Sequence, residues 1–243
     1  MRMSGRREMI RTYHIVLDFE MNPVSYDRDR FHGKQRQLLS EIIEIGAVKI
    51  RDRTYEKVDE FSILVKPQMN DRIEHKITSL TGIQYEDVAD AVSYEEALKS
   101  FSDWIGNEEP ARIYSWSTSD SAQIQKECQE KQVEVPENMK DWVDFQKMFP
   151  RVTGIKTERQ LSLEYAAELS GVDFDESSAH RALYDARVTA EIVQMVLSGE
   201  YKEKMKNVTD VLTDTIETST ATMADKLGPK YKELMALFAE EKS

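Results

Sequence analysis

The chain has 243 residues, 40% hydrophobic and 32% charged, with a formal net charge of −12. That length holds one domain with an appendage or two small domains, and nine Gly and six Pro exclude collagen-like and low-complexity chains. The lone Cys128 excludes a disulfide framework and a cysteine-based zinc site and points to a reducing compartment, while the negative charge disfavours a passive nucleic-acid sleeve but not an enzyme that meets phosphate through bound cations.

Residues 1–11 form a basic tail with no apolar stretch long enough for a signal peptide, and Ile15-Val16-Leu17 is too short to span a membrane. A soluble, cytoplasmic protein is expected. Residues 12–19 read as a buried strand whose apolar run ends in Asp18-Phe19-Glu20. A polar loop over 22–36 carries Arg28, Arg30, His32, Lys34 and Arg36. Residues 42–50, rich in Ile and Val, are a second strand, and 60–65 a third, stopped by Pro67. Three strands in series predict an antiparallel meander.

Helical periodicity takes over at 94–105, where Ala97, Leu98, Phe101, Trp104 and Ile105 share one face. A short strand at 112–116 leads into a helix over 119–131, with Ser119 or Ser121 as its cap. Residues 142–145 are assigned to a strand followed by a short helix. A helix over 161–169 ends at Gly171, and a strong helix over 182–197 is closed by Gly199. The order β-β-β-α-β-α-β-α-α predicts a mixed α/β fold, a central sheet flanked by helices.

Beyond residue 200, Val208, Leu212, Ile216, Met223 and Leu227 make a helical stripe, Gly228-Pro229 breaks it, and Leu234, Met235, Leu237 and Phe238 form a second apolar face. The expected organisation is a tail over 1–11, a main domain over 12–198 and an amphipathic helical extension over 199–243. Such exposed apolar faces call for self-association, a protein partner, or packing on the main domain.

Three polar elements carry chemistry. Asp18 and Glu20 alternate on a strand, so both carboxylates share one face while Phe19 points into the opposite layer. Like charges this close repel, and a cation is the simplest compensation. Asp120 follows a strand and a polar turn at a helix start, where taken alone it reads as an N-cap aspartate. His180 and Asp185 are five apart and converge only if His180 lies in the turn before the helix; taken alone, His180 is a surface histidine near a helix N-terminus. In the convergent case it is placed to take a proton from water, as an imidazole, whose unperturbed pKa is ~6.5, can do near neutrality.

In the order D-x-E, Asp, H-x-x-x-x-D, these elements resemble the DEDDh 3′–5′ exonucleases, a DnaQ-like group with an RNase H-like fold. His180-Arg181-Ala182 with Asp185-Ala186 is similar to the family's H-x-A-x-x-D-A pattern, Ile43-Glu44-Ile45-Gly46-Ala47-Val48 to its second strand, and Ser79-Leu80-Thr81-Gly82-Ile83 to its loop after the third strand. The Ser-Trp-x-x-x-Asp form around Asp120, with Glu127-Cys128 downstream, is similar to the RNA 3′-end-trimming and KapD-like branch. Ser117 stands where that branch often has Gly, and Met21-Asn22 where many members have a small residue and Thr.

The resemblance covers residues 12–198 and implies an RNase H-like mixed five-stranded sheet flanked by helices. It implies hydrolysis with two divalent cations, Mg²⁺ or Mn²⁺, held by Asp18, Glu20, Asp120 and Asp185, with His180 as general base. The expected substrate is a single-stranded nucleic-acid 3′ end, RNA before DNA, and the product a nucleoside 5′-monophosphate. Phe19, Met21 and Asn22, with Leu80 and Thr81, are expected to cradle the terminal nucleotide. Trp116 is a candidate for stacking on a base, or else a core or edge residue. A DNA-trimming or proofreading exonuclease and a non-catalytic binding module on the same fold are the alternatives; a relic should have lost one of the four acids or the histidine, and none is lost.

Overall fold

The computed structural model describes residues 13–24, 38–106, 111–157 and 160–203. The N-terminal tail, the loop with Arg28, Arg30, Lys34 and Arg36, and residues 204–243 of the expected extension lie outside the described residues. The chain divides into two units at Gly199, Met1–Gly199 and Glu200–Ser243.

The sheet has five strands, β1 (Tyr13–Pro23), β2 (Ser40–Arg51), β3 (Lys57–Leu64), β4 (Ala111–Ser115) and β5 (Trp142–Asp144), in the order β3-β2-β1-β4-β5. The first three form the antiparallel meander read from the sequence, and β4 and β5 add in parallel beside β1. The sheet is therefore the mixed five-stranded one expected. Its middle strand β1 is buried on both sides, which is why Ile15, Val16 and Leu17 form a continuous apolar run and do not alternate.

Seven helices cover the described part of the sheet: α1 (His75–Thr81), α2 (Tyr85–Ala89), α3 (Tyr94–Ile105), α4 (Thr118–Lys131), α5 (Phe145–Thr153), α6 (Leu163–Ser170) and α7 (Ala182–Ser198). On one face, Ile15, Leu17 and Phe19 pack with Leu98, Phe101 and Ile105 of α3 and with Ile124 and Cys128 of α4. The other face receives α7, which lies on β1 and β2 with α6 beside it. Cys128 is buried against the Tyr94 hydroxyl at 3.2 Å, a packing role.

The structure corrects three local expectations. Residues 79–81, expected in a loop after the third strand, close a helix over 75–81; it and the helix over 85–89 are too short to show a helical period. Ser117, not Ser119 or Ser121, caps α4 by accepting the Ser119 N–H at 3.2 Å. The sixth helix begins at Leu163 because Ser162 accepts the Tyr165 N–H and caps it there.

Candidate active site

Strand parity places Asp18 and Glu20 on the α7 side of β1. Across the β1–β2 ladder they face Gly46 and Glu44. The α7 helix brings Asp185 to the same place: one carboxylate oxygen from each of Asp18, Glu20 and Asp185 lies within 4.8 Å of the others. Gly46 makes this possible, because a β-carbon there would sit 2.1 Å from the Ala182 carbonyl carbon and the Leu183 nitrogen. The backbone of α7 thus rests directly on β2, a contact only glycine allows.

Asp120 enters from the first turn of α4. It is outside the tight trio, yet after burial it is the largest influence raising the Asp18 pKa, ahead of Glu20. Its own carboxyl is buried and pushed up to about 7 by desolvation, opposed by hydrogen bonds from its backbone and from Ser115. Glu20 is pushed up to about 8 by burial, then by Asp185 and Glu44. Burial also raises Asp185, opposed by the nearby His180. Four acids that resist ionisation together are poised for cationic charge.

His180 lies in the turn before α7, where convergence requires it. It is exposed, with φ of 62°, a left-handed conformation that costs a β-carbon residue about 1–3 kcal/mol. Its backbone is hydrogen-bonded to the Asp185 carboxylate. The other observation favouring a cation is Asp185 Oδ1, buried with no hydrogen-bond partner. A donor set made only of carboxylate oxygens fits a hard divalent cation.

The residues expected around the terminal nucleotide separate into two groups. Leu80 is 44% exposed on α1, and Met21 is half-buried beside the Ser40 hydroxyl. The other four are occupied by the fold. Phe19 belongs to the α3–α4 core. Thr81 closes α1: its hydroxyl donates to the Ile77 carbonyl at 2.9 Å and accepts the Ile83 N–H at 3.0 Å. Asn22 is fully buried, donating from Nδ2 to the Arg72 carbonyl at 3.1 Å and accepting the Glu74 N–H at 2.9 Å. Its side chain braces the start of α1. Trp116 is a core residue, packed on Phe145 and Phe149 with its indole N–H donated to the Leu161 carbonyl at 3.1 Å, so its ring is not free to stack on a base.

Residue-level reading gave no role to Glu44. It is buried, and it pairs with Arg181 of the turn before α7. The signal was an acid inside the Ile- and Val-rich run of β2, at a position opposite Glu20 that only the register reveals. Behind α4, Lys131 bridges Glu41 of β2 at 3.0 Å and Glu127 at 2.7 Å, all three side chains almost fully buried. Glu41 also accepts the Gln68 and Met69 N–H groups, and Glu127 that of Ile42. This network ties the helix carrying Asp120 to the sheet.

Comparison with known proteins agrees with this geometry. The family model described as Exonuclease (RNase_T) matches residues 15–193. The 3'-5' exoribonuclease 1 of Homo sapiens is 28% identical over 196 residues, covering 77% of this chain and 53% of that protein. The DNA polymerase III PolC-type of Clostridium perfringens is 29% identical over 210 residues, covering 86% of this chain and 12% of that protein. The chain thus spans about half the length of the 3'-5' exoribonuclease 1 proteins it matches. Among solved structures, the nuclease domain of 3'hExo, a DEDDh family member bound to rAMP, superposes with a TM-score of 0.67 at 24% identity, covering 78% of this chain and 94% of that one. Escherichia coli Exonuclease I in complex with a dT13 oligonucleotide gives a TM-score of 0.56 at 14% identity, covering 83% of this chain and 43% of that one. With five strands in the expected mixed order, the acidic trio in place and the family's model matched along most of its length, this chain belongs to the RNase_T exonuclease family.

Proposed function

We propose that the protein is a metal-dependent 3′–5′ exonuclease that releases nucleoside 5′-monophosphates from single-stranded nucleic acid, RNA in preference to DNA. The observation that carries this reading is the convergence of Asp18, Glu20 and Asp185 within 4.8 Å, with His180 in the turn beside them. Asp18, Glu20, Asp120 and Asp185 would hold two divalent cations, Mg²⁺ or Mn²⁺. When bound, the cations supply Lewis-acid polarisation of the phosphodiester and offset charge on the leaving 3′ oxygen.

The chain's own residues do the rest. His180, exposed on its turn, takes the proton of the attacking water, and its exposure lets it return that proton to solvent. Asp185 fixes that turn through the His180 backbone. Leu80 offers an apolar surface for the terminal nucleotide.

RNA is favoured because the relatives include proteins named as exoribonucleases. A DNA substrate is the second reading, favoured by the match to the PolC-type polymerase.

The test is shortening of 3′- and 5′-labelled single-stranded RNA and DNA with Mg²⁺, Mn²⁺ or EDTA, beside Asp18→Asn and His180→Ala. Metal-dependent loss from the 3′ end, abolished in both variants, supports the reading, and the faster substrate decides between RNA and DNA. No shortening by wild type with either metal would sink it in favour of a binding module.

A further inference from the structure

We propose that Glu44 is a positioning residue of this centre, holding the His180 turn and the start of α7 on the Asp18–Glu20 face of the sheet. The proposal rests on the exonuclease reading of the same cluster. A helix normally satisfies its first N–H groups with a cap from its own chain. In α7 the N-cap is Arg181, whose side chain caps nothing. The Ala182 N–H is instead donated to Glu44 Oε2, 3.1 Å away and 138 residues distant in sequence. The same carboxylate receives Arg181 Nε at 3.0 Å and Nη2 at 2.7 Å, a bidentate pair.

Three donors from two consecutive residues therefore end on one buried carboxylate. On the other side, the His180 backbone is hydrogen-bonded to Asp185. Residues 180–182 are clamped between the two acids. A strained conformation such as that of His180 persists only where its surroundings over-determine it, and this clamp is the surrounding that does so. Capping alone does not explain the choice of residue. A Ser, Asn or Asp at 181 would cap α7 locally, without burying a further acid opposite Glu20. What a local cap lacks is a link from β2, the strand paired with Asp18 and Glu20, to the turn that carries the histidine.

The test compares Glu44→Ala, Glu44→Gln, Arg181→Ala and the double variant Glu44→Ala/Arg181→Ala with the wild-type full chain. Four quantities are read: the thermal midpoint in EDTA, the Mn²⁺ concentration that half-saturates the rise in that midpoint, and kcat and KM on a 3′-labelled single-stranded oligonucleotide. Both alanine variants should weaken Mn²⁺ binding and lower kcat by about 10–100-fold, as residues that orient metal ligands do, with KM within about twofold. Glu44→Gln keeps a carbonyl for the Ala182 N–H but loses the charge facing Arg181, and should fall between. The double variant should lose no more than Glu44→Ala alone. If Glu44→Ala does not fold, Arg181→Ala, with its half-exposed side chain, carries the comparison. A lower thermal midpoint with kcat and the Mn²⁺ midpoint within about twofold of wild type would make Glu44 a structural cap and overturn the proposal. If wild type binds Mn²⁺ but shortens no oligonucleotide, the nuclease reading fails and the Mn²⁺ midpoints alone decide for or against Glu44; no Mn²⁺ shift in wild type removes both.

Discussion

Asp18 on β1 is paired in register with Gly46 on β2, and the side chain missing at Gly46 is replaced by the backbone of α7. One acid of the trio therefore sits opposite the point where the helix bearing another touches the sheet. Gly46→Ala would drive a β-carbon to 2.1 Å from backbone atoms that no rotamer change can move. Overpacking of this kind costs about 1–3 kcal/mol, occasionally more, and here it also pushes Asp185 away from Asp18. The expected outcome is a lower thermal midpoint together with at least a tenfold loss of kcat, about 1.4 kcal/mol in transition-state terms. Wild-type kcat in a folded Gly46→Ala protein would contradict the close-contact account.

The acidic site makes stability depend on pH and metal in opposite senses. Burial first, then mutual repulsion, lifts Glu20 from its ordinary 4.5 to about 8, and burial lifts Asp120 from 3.8 to about 7. Without metal the folded chain holds protons that the unfolded chain has released. These groups therefore favour the folded state fully only below their ordinary values, and that contribution is lost as pH rises through about 7 and 8. Thermal melts in EDTA should show Glu20→Gln more stable than wild type at alkaline pH and not at acid pH. Mn²⁺ should restore wild type most where the carboxylates are ionised. A wild-type minus Glu20→Gln difference that stays flat with pH would refute this.

Asn22 links the strand carrying the acids to the helix carrying Leu80. Asn22→Ala removes the hydrogen bonds that the Arg72 carbonyl and the Glu74 N–H make to the Asn22 amide. Both bonds are part-buried, and such a hydrogen bond contributes about 0.5–1.5 kcal/mol. Urea unfolding should report a loss of that size, and KM for an oligonucleotide should rise as α1 loosens. An unchanged midpoint would show that Asn22 is free to serve substrate, as its position in the sequence suggests.

Lys131 neutralises two acids that have no other cation within salt-bridge distance among the described contacts. Burial raises the Glu127 pKa and Lys131 is the first influence opposing it. Lys131→Met removes the ammonium, which also lies 4.6 Å from the Tyr94 ring centroid, and leaves Glu41 and Glu127 without their shared cation. Breaking one side of a buried ion pair costs about 3–5 kcal/mol. A large drop in stability is expected, relieved in part by the added substitution Glu127→Gln. Equal stability of Lys131→Met and wild type would show that this buried network does not depend on the lysine charge.

Local pattern determined much of this protein. Apolar runs bounded by polar turns gave the three-strand meander, a 3.6-residue period gave α3 and α7, and strand parity put Asp18 and Glu20 on one face with Phe19 behind them. These features depend on neighbours in sequence, so a single chain read in order reveals them. The tertiary structure decided what depends on distant residues. Asn22 and Thr81 have side chains suited to a nucleotide, but their partners, Arg72, Glu74, Ile77 and Ile83, occupy them. Trp116 is an indole that only the packing of Phe145 and Phe149 removes from the surface. Glu44 and Arg181 are ordinary charged residues until β2 and α7 meet at Gly46, because a salt bridge spanning 137 residues leaves no periodicity in either segment.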